Sequence, residues 1–283
     1  MKLLVLSQLE GSPGTEVFLT AARAAGHEAR LENPLQARKV TGDDGVSIVC
    51  LGSLDVDLVF TRMGSATPER GFDVLRQLEL GGLRCVNAAR PLRIARDKLA
   101  TYVELAAADL PLPVTVLSRG DATAAEVADA LGPPPWVWKH PIGTKGEAVE
   151  LIQSAAELER RAADERCLLQ RFVPEARGTD LRVLVIGGRA VAGMRRRARA
   201  GEWRSNLHRG GTGERIELTA DLRDIAERAA AAVGLEVAGV DLLPGPTGPL
   251  IAEVNGSPGL AGLRAAVGDG FLDELFRFLA RAT

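Results

Sequence analysis

Apolar residues in the first ninety positions occur in short blocks separated by amphipathic stretches. Blocks of four or five residues predict buried strands, and the longer stretches show the spacing of helices. The predicted strands are Leu3–Leu6, Glu28–Leu31, Leu58–Thr61 and Arg84–Val86, and the predicted helices are Glu16–Ala25 and Glu69–Leu80. This alternation indicates a small parallel sheet. The loop Gly11–Gly14 lacks the spacing of a phosphate-binding glycine motif, so we interpret it as a turn.

The pattern changes after residue 90, and we predict two further lobes. For residues 91–166 it predicts helices at Ala95–Ala107 and Thr123–Leu131 and strands at Val114–Leu117 and Trp136–Lys139. For residues 167–283 it predicts strands and helices at Cys167–Val173, Leu181–Ile186, Arg189–Met194, Ala220–Val233, Val237–Leu243, Leu250–Asn255 and Phe271–Ala280. Gly187 and Gly188 suit a tight hairpin turn. We therefore expect a mixed α/β (α+β) protein with lobes at 1–90, 91–166 and 167–283.

Composition and charge narrow the classes of function. The chain has 283 residues, 46% of them hydrophobic, and a formal net charge of −2, which gives no general reason to bind nucleic acid or a membrane. Three scattered cysteines do not form a disulfide or zinc pattern. No apolar stretch approaches the roughly 20 residues that span a bilayer. We expect a soluble, cytoplasmic protein.

Two carboxylates stand out in the last predicted hairpin. If its turn lies between Pro246 and Thr247, Asp241 is almost opposite Glu253, and Asn255 shares the face of Glu253. Opposed like charges among apolar neighbours are unfavourable unless a cation joins them. Hard oxygen ligands of this kind suit Mg²⁺. Spacing alone leaves two interpretations open, a metal site and a solvated face of an edge hairpin.

Several cations precede this hairpin. Lys139 ends an apolar strand, so it either extends to solvent or faces an anion. The following loop, Gly143–Gly146, has the composition of a phosphate loop but is more often a hairpin turn. Lys98 near a helix start is by default a surface residue. The basic run Arg195–Arg209 fits an anionic small ligand better than nucleic acid in a nearly neutral chain.

Taken in order, these segments resemble the ATP-grasp superfamily and, within it, the RimK-like glutamate ligases. The resemblance covers nearly the whole chain, and its most specific parts are Trp203–Gly211 and Glu253–Gly259. The other matching segments are Ala95–Leu99, Val137–Lys139, Gly143–Gly146, Leu169–Val173, Gly178–Arg182, Arg196–Ala198 and Val237–Asp241. The resemblance implies an ATP-grasp fold of three lobes, with ATP between the central and C-terminal lobes. It also favours the metal interpretation of the carboxylate pair.

The resemblance also implies roles for individual residues. Asp241, Glu253 and Asn255 would hold Mg²⁺ or Mn²⁺, with two ions bound. Arg204, Asn206 and Arg182 would act in catalysis. The nucleotide would be bound by Lys98, Lys139, Gly143, Thr144, Lys145, Gly146, Arg171, Phe172, Asp180, Arg204, Ser205 and Asn206. Within this set the lysines would contact phosphates, Arg171 and Phe172 would lie beside adenine, and Asp180 would bind ribose. Arg171 departs from the family pattern, which is usually acidic there.

The activity implied is ATP-dependent formation of an amide through an acyl phosphate. We expect glutamate to be added to a carboxylate acceptor, either the C-terminus of a protein or a growing poly-glutamate. A ligase for a small-molecule or carrier-protein acceptor is the alternative within enzymes, and a non-catalytic ATP-binding regulator is the alternative outside them. We further expect a homo-oligomer, a dimer or tetramer, without membrane or direct nucleic-acid partners.

Overall fold

The computed structural model describes residues 1–42, 45–49, 54–143, 149–161, 166–205 and 210–282. Within these ranges the chain forms three larger sheets and one separate two-stranded hairpin. Helices pack on the sheets, as the mixed α/β expectation requires.

The N-terminal sheet is parallel throughout, as predicted. This part of the chain contains β1 (Lys2–Leu6), α1 (Pro13–Ala24), β2 (Glu28–Glu32), β3 (Arg38–Gly42), β4 (Gly45–Val49), β5 (Leu58–Thr61), α2 (Glu69–Leu80) and β6 (Cys85–Val86). The order in the sheet is β2-β1-β5-β6. The segment Gly11–Gly14, interpreted above as a turn, contains the start of α1, because Ser12 is the N-cap and Pro13 and Gly14 already belong to the helix. The sequence analysis did not predict the antiparallel hairpin β3–β4.

The central sheet is antiparallel. It follows two helices, and this part contains α3 (Ala89–Arg96), α4 (Lys98–Ala107), β7 (Thr115–Ser118), α5 (Ala124–Leu131), β8 (Trp136–Lys139), β9 (Val149–Ile152), α6 (Ala155–Glu159) and β10 (Cys167–Arg171). The predicted single helix at residues 95–107 is wrong at its start. Asp97 interrupts the helical path and accepts hydrogen bonds from the backbone N–H groups of Leu99 and Ala100, so α4 begins at Lys98.

Strand β10 lies in the central sheet, between β7 and β8. The sequence analysis places this strand at the start of the third lobe, whereas its backbone pairing joins it to the central sheet. Both edges of β10 are hydrogen-bonded to strands that precede it by tens of residues, a long-range pairing that local hydrophobic pattern does not reveal. The three lobe boundaries themselves stay a prediction.

The C-terminal sheet is antiparallel, with the order β13-β12-β11-β14-β15. Its elements are β11 (Thr179–Ile186), β12 (Arg189–Arg197), β13 (Thr212–Arg215), α7 (Ala220–Val233), β14 (Val237–Gly245), β15 (Gly248–Asn255), α8 (Leu260–Val267) and α9 (Gly270–Ala282). Gly187 and Gly188 both have positive φ, 56° and 75°, which confirms the glycine hairpin turn. Strand β13 and helix α8 were not predicted.

The described residues form three apolar cores. Successive side chains of a strand point to opposite faces, so alternate residues enter different cores. Leu4 of β1 and Val183 of β11 lie in the first core, whereas Leu3 and Leu184 lie in the second. The N-terminal and C-terminal sheets therefore share two cores, and the central sheet has its own around Trp136. Among the described helices, none has the length and apolarity to cross a bilayer.

Candidate active site

The hairpin β14–β15 brings together the carboxylates that the sequence analysis singled out. Its turn joins Gly245 to Gly248, and a bulge between Asp241 and Leu242 shifts the register by one residue. Asp241 consequently pairs with Glu253, and Gly239 pairs with Asn255. The predicted opposition of the two acidic residues is confirmed.

Asp241 is buried, 4% exposed, and two arginines neutralise it. Arg182 donates from Nε and Nη2 to Oδ1 and Oδ2 of Asp241 at 2.6 and 2.7 Å. Nη2 of Arg196 lies 2.8 Å from Oδ2. Burial acts to raise the pKa of Asp241, but the two guanidinium groups outweigh it and hold that pKa below its usual value. Asp241 is therefore ionised at neutral pH.

Arg196 holds a second carboxylate. Its Nε and Nη2 donate to both oxygens of Asp180 at 2.6 and 2.5 Å, and the Ser205 hydroxyl also hydrogen-bonds to Asp180. Asp180, Arg196 and Ser205 are all buried. A contact between Asp180 and ribose would have to compete with this bidentate pair, so the ribose role stays a prediction that the pairing does not favour.

Glu253 faces the lysines of the central lobe. No side chain among the described residues makes a hydrogen bond or ion pair to its carboxylate. Lys139 is buried, which lowers the pKa of its ammonium group to about 8, while the charge of Glu253 acts to raise it and Lys98 to lower it further. Of the two interpretations of Lys139, extension to solvent is wrong, because the strand β8 directs it into the same space as Glu253, Asp241 and Lys98.

The carbonyl oxygen of Gly143 joins the N-terminal and central parts of the chain. It accepts hydrogen bonds from Nζ of Lys98 at 3.3 Å and from the Ser65 hydroxyl at 3.0 Å. The backbone N–H of Lys98 also donates to the carbonyl of Pro141. The predicted nucleotide-binding residues Thr144, Lys145 and Gly146 and the predicted catalytic residue Asn206 lie outside the described residues.

Arg204 lies beside the central sheet. Its Nη1 donates to the carbonyl of Val149 at 3.1 Å, and its Nε donates to Glu202 at 3.0 Å. The ring of Trp203 lies 5.5 Å below its guanidinium carbon. These contacts hold Arg204 against strand β9 of the central sheet, and its catalytic role stays a prediction.

Arg171 and Phe172 follow the central strand β10. Nε of Arg171 donates to the carbonyl of Leu131 at 2.8 Å, so this exposed side chain is turned toward the end of α5. The Phe172 ring contacts Trp203 edge-on, with ring centroids 6.3 Å apart. The backbone N–H of Arg171 donates to the carbonyl of Val114 at 2.9 Å, and the departure at Arg171 places no acidic side chain there.

Comparison with known proteins gives the family. The RimK-like ATP-grasp domain matches residues 95–278, and the RimK PreATP-grasp domain matches residues 1–92. A Stenotrophomonas maltophilia protein named "Probable alpha-L-glutamate ligase" is 39% identical over 275 residues, which cover 95% of this chain and 94% of the relative. The chain belongs to the RimK-like ATP-grasp family. It is an ATP-dependent ligase that forms a C–N bond between a carboxylate and an amine.

Solved structures agree with this RimK-like fold. A RimK domain ATP-grasp protein from Sphaerobacter thermophilus has a TM-score of 0.71 at 23% identity, covering 99% of this chain and 100% of its own. The ATP-grasp ligase PsnB, solved with minimal precursor, Mg and ADP, has a TM-score of 0.74 at 20% identity, covering 98% and 97%. At these identities the likeness shows the ATP-grasp fold alone.

The residues of this RimK-like chain fit a hard divalent cation. Asp241 and Glu253 are opposed, and the carboxylate of Glu253 lacks a protein partner within the described ranges. Nδ2 of Asn255 donates a hydrogen bond to Oδ2 of Asp241 at 3.4 Å. The described residues contain no group of three or more His, Cys, Asp or Glu that could hold a metal, so a full shell needs the amide oxygen and nucleotide phosphates.

Some residues of this site in the RimK-like chain were not predicted. Arg196 appears in the sequence analysis only as part of a motif and a basic run, yet it contacts two carboxylates. Its pairing with Asp180 across the hairpin β11–β12 follows a bulge between Leu184 and Val185, which the hydrophobic pattern does not show. Nothing in the sequence pattern indicated a role for Ser65, because its contact with Gly143 joins segments that are 78 residues apart.

Proposed function

We propose that this RimK-like ligase adds L-glutamate to a carboxylate acceptor, either a protein C-terminus or a growing poly-glutamate. The observation that carries the proposal is the juxtaposition of the Asp241–Glu253 pair with the buried cation Lys139. Such an arrangement suits a nucleoside triphosphate that binds between two lobes, with a metal ion held by the carboxylates and the phosphates in contact with the lysine. The name of the Stenotrophomonas relative supports glutamate as the amine.

The metal proposal rests on Asp241, Glu253 and Asn255. These residues would hold Mg²⁺, or Mn²⁺, with two ions bound. A bound divalent cation would neutralise charge on the phosphate oxygens. Arg182 and Arg196 keep Asp241 ionised and oriented before the cation enters. Because both oxygens of Asp241 already accept hydrogen bonds, the ion must share this carboxylate with the arginines or displace one of them.

The chain supplies the remaining groups for phosphoryl and acyl transfer. Lys98 and Lys139 bind phosphate oxygens, and the contact of Lys98 with Gly143 positions the start of the loop that continues to Gly146. Arg204, with Ser205 and Asn206, stabilises the charge that develops during transfer. The substrate carboxylate attacks the γ-phosphate and releases ADP, and the amine of glutamate then displaces phosphate from the acyl phosphate.

The test is an ADP-release assay with product analysis. With ATP, Mg²⁺ and L-glutamate alone, a ladder of glutamate additions in the mass spectrum identifies poly-glutamate synthesis. ADP release that needs an added protein or peptide, with a mass increase of one or more glutamates on it, identifies the C-terminal acceptor. Release only with a small-molecule or carrier acceptor supports the alternative ligase, and ATP binding without any ADP release under these conditions would overturn the proposal.

A further inference from the structure

The hydroxyl group of Tyr102, the only tyrosine of the chain, lies where the central and C-terminal sheets meet. Tyr102 belongs to α4 and is buried. Its hydroxyl donates to the carbonyl of Ile251 on β15 at 3.4 Å and accepts a hydrogen bond from Nε2 of Gln170 on β10. One hydroxyl group therefore connects a helix, a strand of the central sheet and a strand of the C-terminal sheet.

Strand β15 is at the edge of the C-terminal sheet, and residues 98–111 cover this edge at Ile251. The N–H of Ile251 donates to the carbonyl of Pro111 at 2.8 Å, and its carbonyl accepts the hydrogen bond from Tyr102. An edge strand otherwise presents such backbone groups without partners. The position of β15 at this point is therefore set by contacts on both backbone groups of one buried residue.

Gln170 sets the direction of the Tyr102 hydroxyl. Its buried amide donates from Nε2 to Tyr102 and also to Oγ1 of Thr115 at 3.0 Å, and the Thr115 hydroxyl donates to the carbonyl of Pro113 at 2.7 Å. Because the two hydrogens of Nε2 are given to hydroxyl oxygens, each hydroxyl donates its own proton to a carbonyl. The network therefore directs the proton of Tyr102 to Ile251.

This junction lies between two residues of the candidate active site. Lys98 precedes Tyr102 by four residues, so both lie on one side of α4, about 6 Å apart along its axis. Glu253 follows Ile251 by two residues, and β15 has an extra residue, Ala252, at a bulge between them, where a strand bends. Burial raises the pKa of Tyr102, and the charge of Glu253 raises it further, so the hydroxyl remains a donor.

We propose that Tyr102 is a positioning residue that fixes Glu253 on β15 relative to Lys98 on α4. The inference rests on the proposed function, in which Glu253 holds a divalent cation and Lys98 binds phosphate. Both residues then act on one complex of nucleotide and metal, so their separation must match that complex. Tyr102 touches neither ligand. It holds the strand just before the bulge that directs Glu253, as groups behind metal ligands commonly do.

The affinity for ADP, measured by calorimetry in EDTA and in millimolar Mg²⁺, tests this role. The ratio of the two dissociation constants measures how strongly Mg²⁺ and the nucleotide support each other's binding. We expect Tyr102→Phe to reduce this ratio at least about fivefold, the usual effect of one lost hydrogen bond. Its affinity for ADP in EDTA should stay within about twofold of wild type, because Lys98 remains in place.

Thr101→Val is the matched control on the same helix. Thr101 is also buried, and its hydroxyl donates to the carbonyl of Ile94 on α3 at 2.9 Å and not to β15. Both variants lose one buried hydroxyl, so we expect similar falls in Tm but a wild-type ratio in Thr101→Val. A wild-type ratio in Tyr102→Phe, or equal reductions in both variants, would overturn the inference.

Fluorine NMR tests the same link without removing the hydroxyl. Because the chain has one tyrosine, 3-fluorotyrosine labels position 102 alone. We expect Mg²⁺ to shift this resonance in the ADP complex of wild type, and Glu253→Gln to abolish the shift. No shift in wild type would overturn the inference. If instead Glu253→Gln keeps the full wild-type ratio of ADP affinities, the metal site of the proposed function is wrong.

Discussion

Unlike Asp241, Glu253 has no hydrogen bond or ion pair to a side chain of the described residues. If this carboxylate holds the metal, Glu253→Gln removes a ligand and keeps the shape of the side chain. We expect ADP release to fall at least about 100-fold and Mn²⁺ binding, followed by electron paramagnetic resonance, to weaken by a similar factor. Glu217→Gln, an exposed position, is the matched control. Near-wild-type turnover of Glu253→Gln in millimolar Mg²⁺ would refute the metal assignment.

Arg196 is a second residue on which the site depends, because it compensates two buried carboxylates at once. Arg196→Met leaves Asp180 without its bidentate partner and should lower the free energy of unfolding by about 3–5 kcal/mol. The adjacent Arg195 pairs with Glu214 at the surface, and Arg195→Met should cost no more than about 1 kcal/mol. Urea denaturation of both variants measures the difference. Equal losses would show that the buried network contributes no more than a surface pair.

The sequence analysis predicted the opposition of Asp241 and Glu253 but not the pairing of Asp180 with Arg196, and a β-bulge shifts the register in each of the two hairpins. Without the bulge between Leu184 and Val185, the Gly187–Gly188 turn would place Arg195, and not Arg196, opposite Asp180. The bulge after Asp241 similarly brings Glu253 directly opposite it. An extra residue in one strand leaves little trace in hydrophobic pattern, so register beyond a bulge is hard to predict. The family motifs included Asp241, Glu253, Arg182 and Arg196, but they did not show that the two arginines pair with Asp241.

At the scale of elements, the start of α4 positions a predicted phosphate ligand. Asp97 caps this helix, and Lys98 is its first residue. The boundary was missed because α3 and α4 are separated by one residue, so their apolar positions read as a single periodic stretch. Long, regular elements were predicted with their full bounds, as for Glu69–Leu80 and Ala220–Val233, whereas short strands such as Val149–Ile152 were missed.

The cap gives a prediction about α4. Asp97→Ala should lower the free energy of unfolding by about 1 kcal/mol, the usual loss for a helix cap, and should weaken ATP binding by up to about fivefold because Lys98 loses its fixed position. Thr123→Ala removes the cap of α5, which carries none of the proposed ATP ligands. That control should lose similar stability and keep its ATP affinity, as measured by calorimetry. Equal ATP affinities in the two variants would argue against positioning of Lys98 by the cap.

At the scale of the whole molecule, Asn87 fastens the N-terminal sheet to the C-terminal sheet. Its Nδ2 donates to the carbonyls of Val237 and Gly256 at 2.7 and 2.8 Å, and its Oδ1 accepts from the N–H groups of Glu236 and Val237 at 2.8 and 2.9 Å. This buried side chain satisfies all four of these hydrogen-bonding positions across the junction. Together with the two shared cores, it joins both ends of the chain into one packed body that supports β14 and β15.

Two buried cysteines lie in different cores, so their labelling can show whether the central lobe unfolds separately from the rest of the chain. Cys85 belongs to the first core, shared by the N-terminal and C-terminal sheets, and Cys167 belongs to the smaller core of the central sheet. Burial raises the pKa of the Cys85 thiol to about 12, which further slows its alkylation in the folded protein. We expect alkylation with iodoacetamide over a urea series, read by mass spectrometry, to begin at Cys167 at lower urea, because the smaller core buries less apolar surface.

In the same experiment, the variant Asn87→Ala tests whether the core that contains Cys85 unfolds independently of the core that contains Cys167. It leaves several buried backbone groups without partners, each worth about 1–3 kcal/mol, and all of them lie at the junction of the N-terminal and C-terminal sheets. The urea midpoint for labelling of Cys85 should therefore fall, while the midpoint for Cys167 stays close to that of wild type. A common midpoint for both cysteines, moving together in Asn87→Ala, would show that the central lobe unfolds with the rest. In that case the clamping of ATP between lobes could not rely on independent movement of the central one.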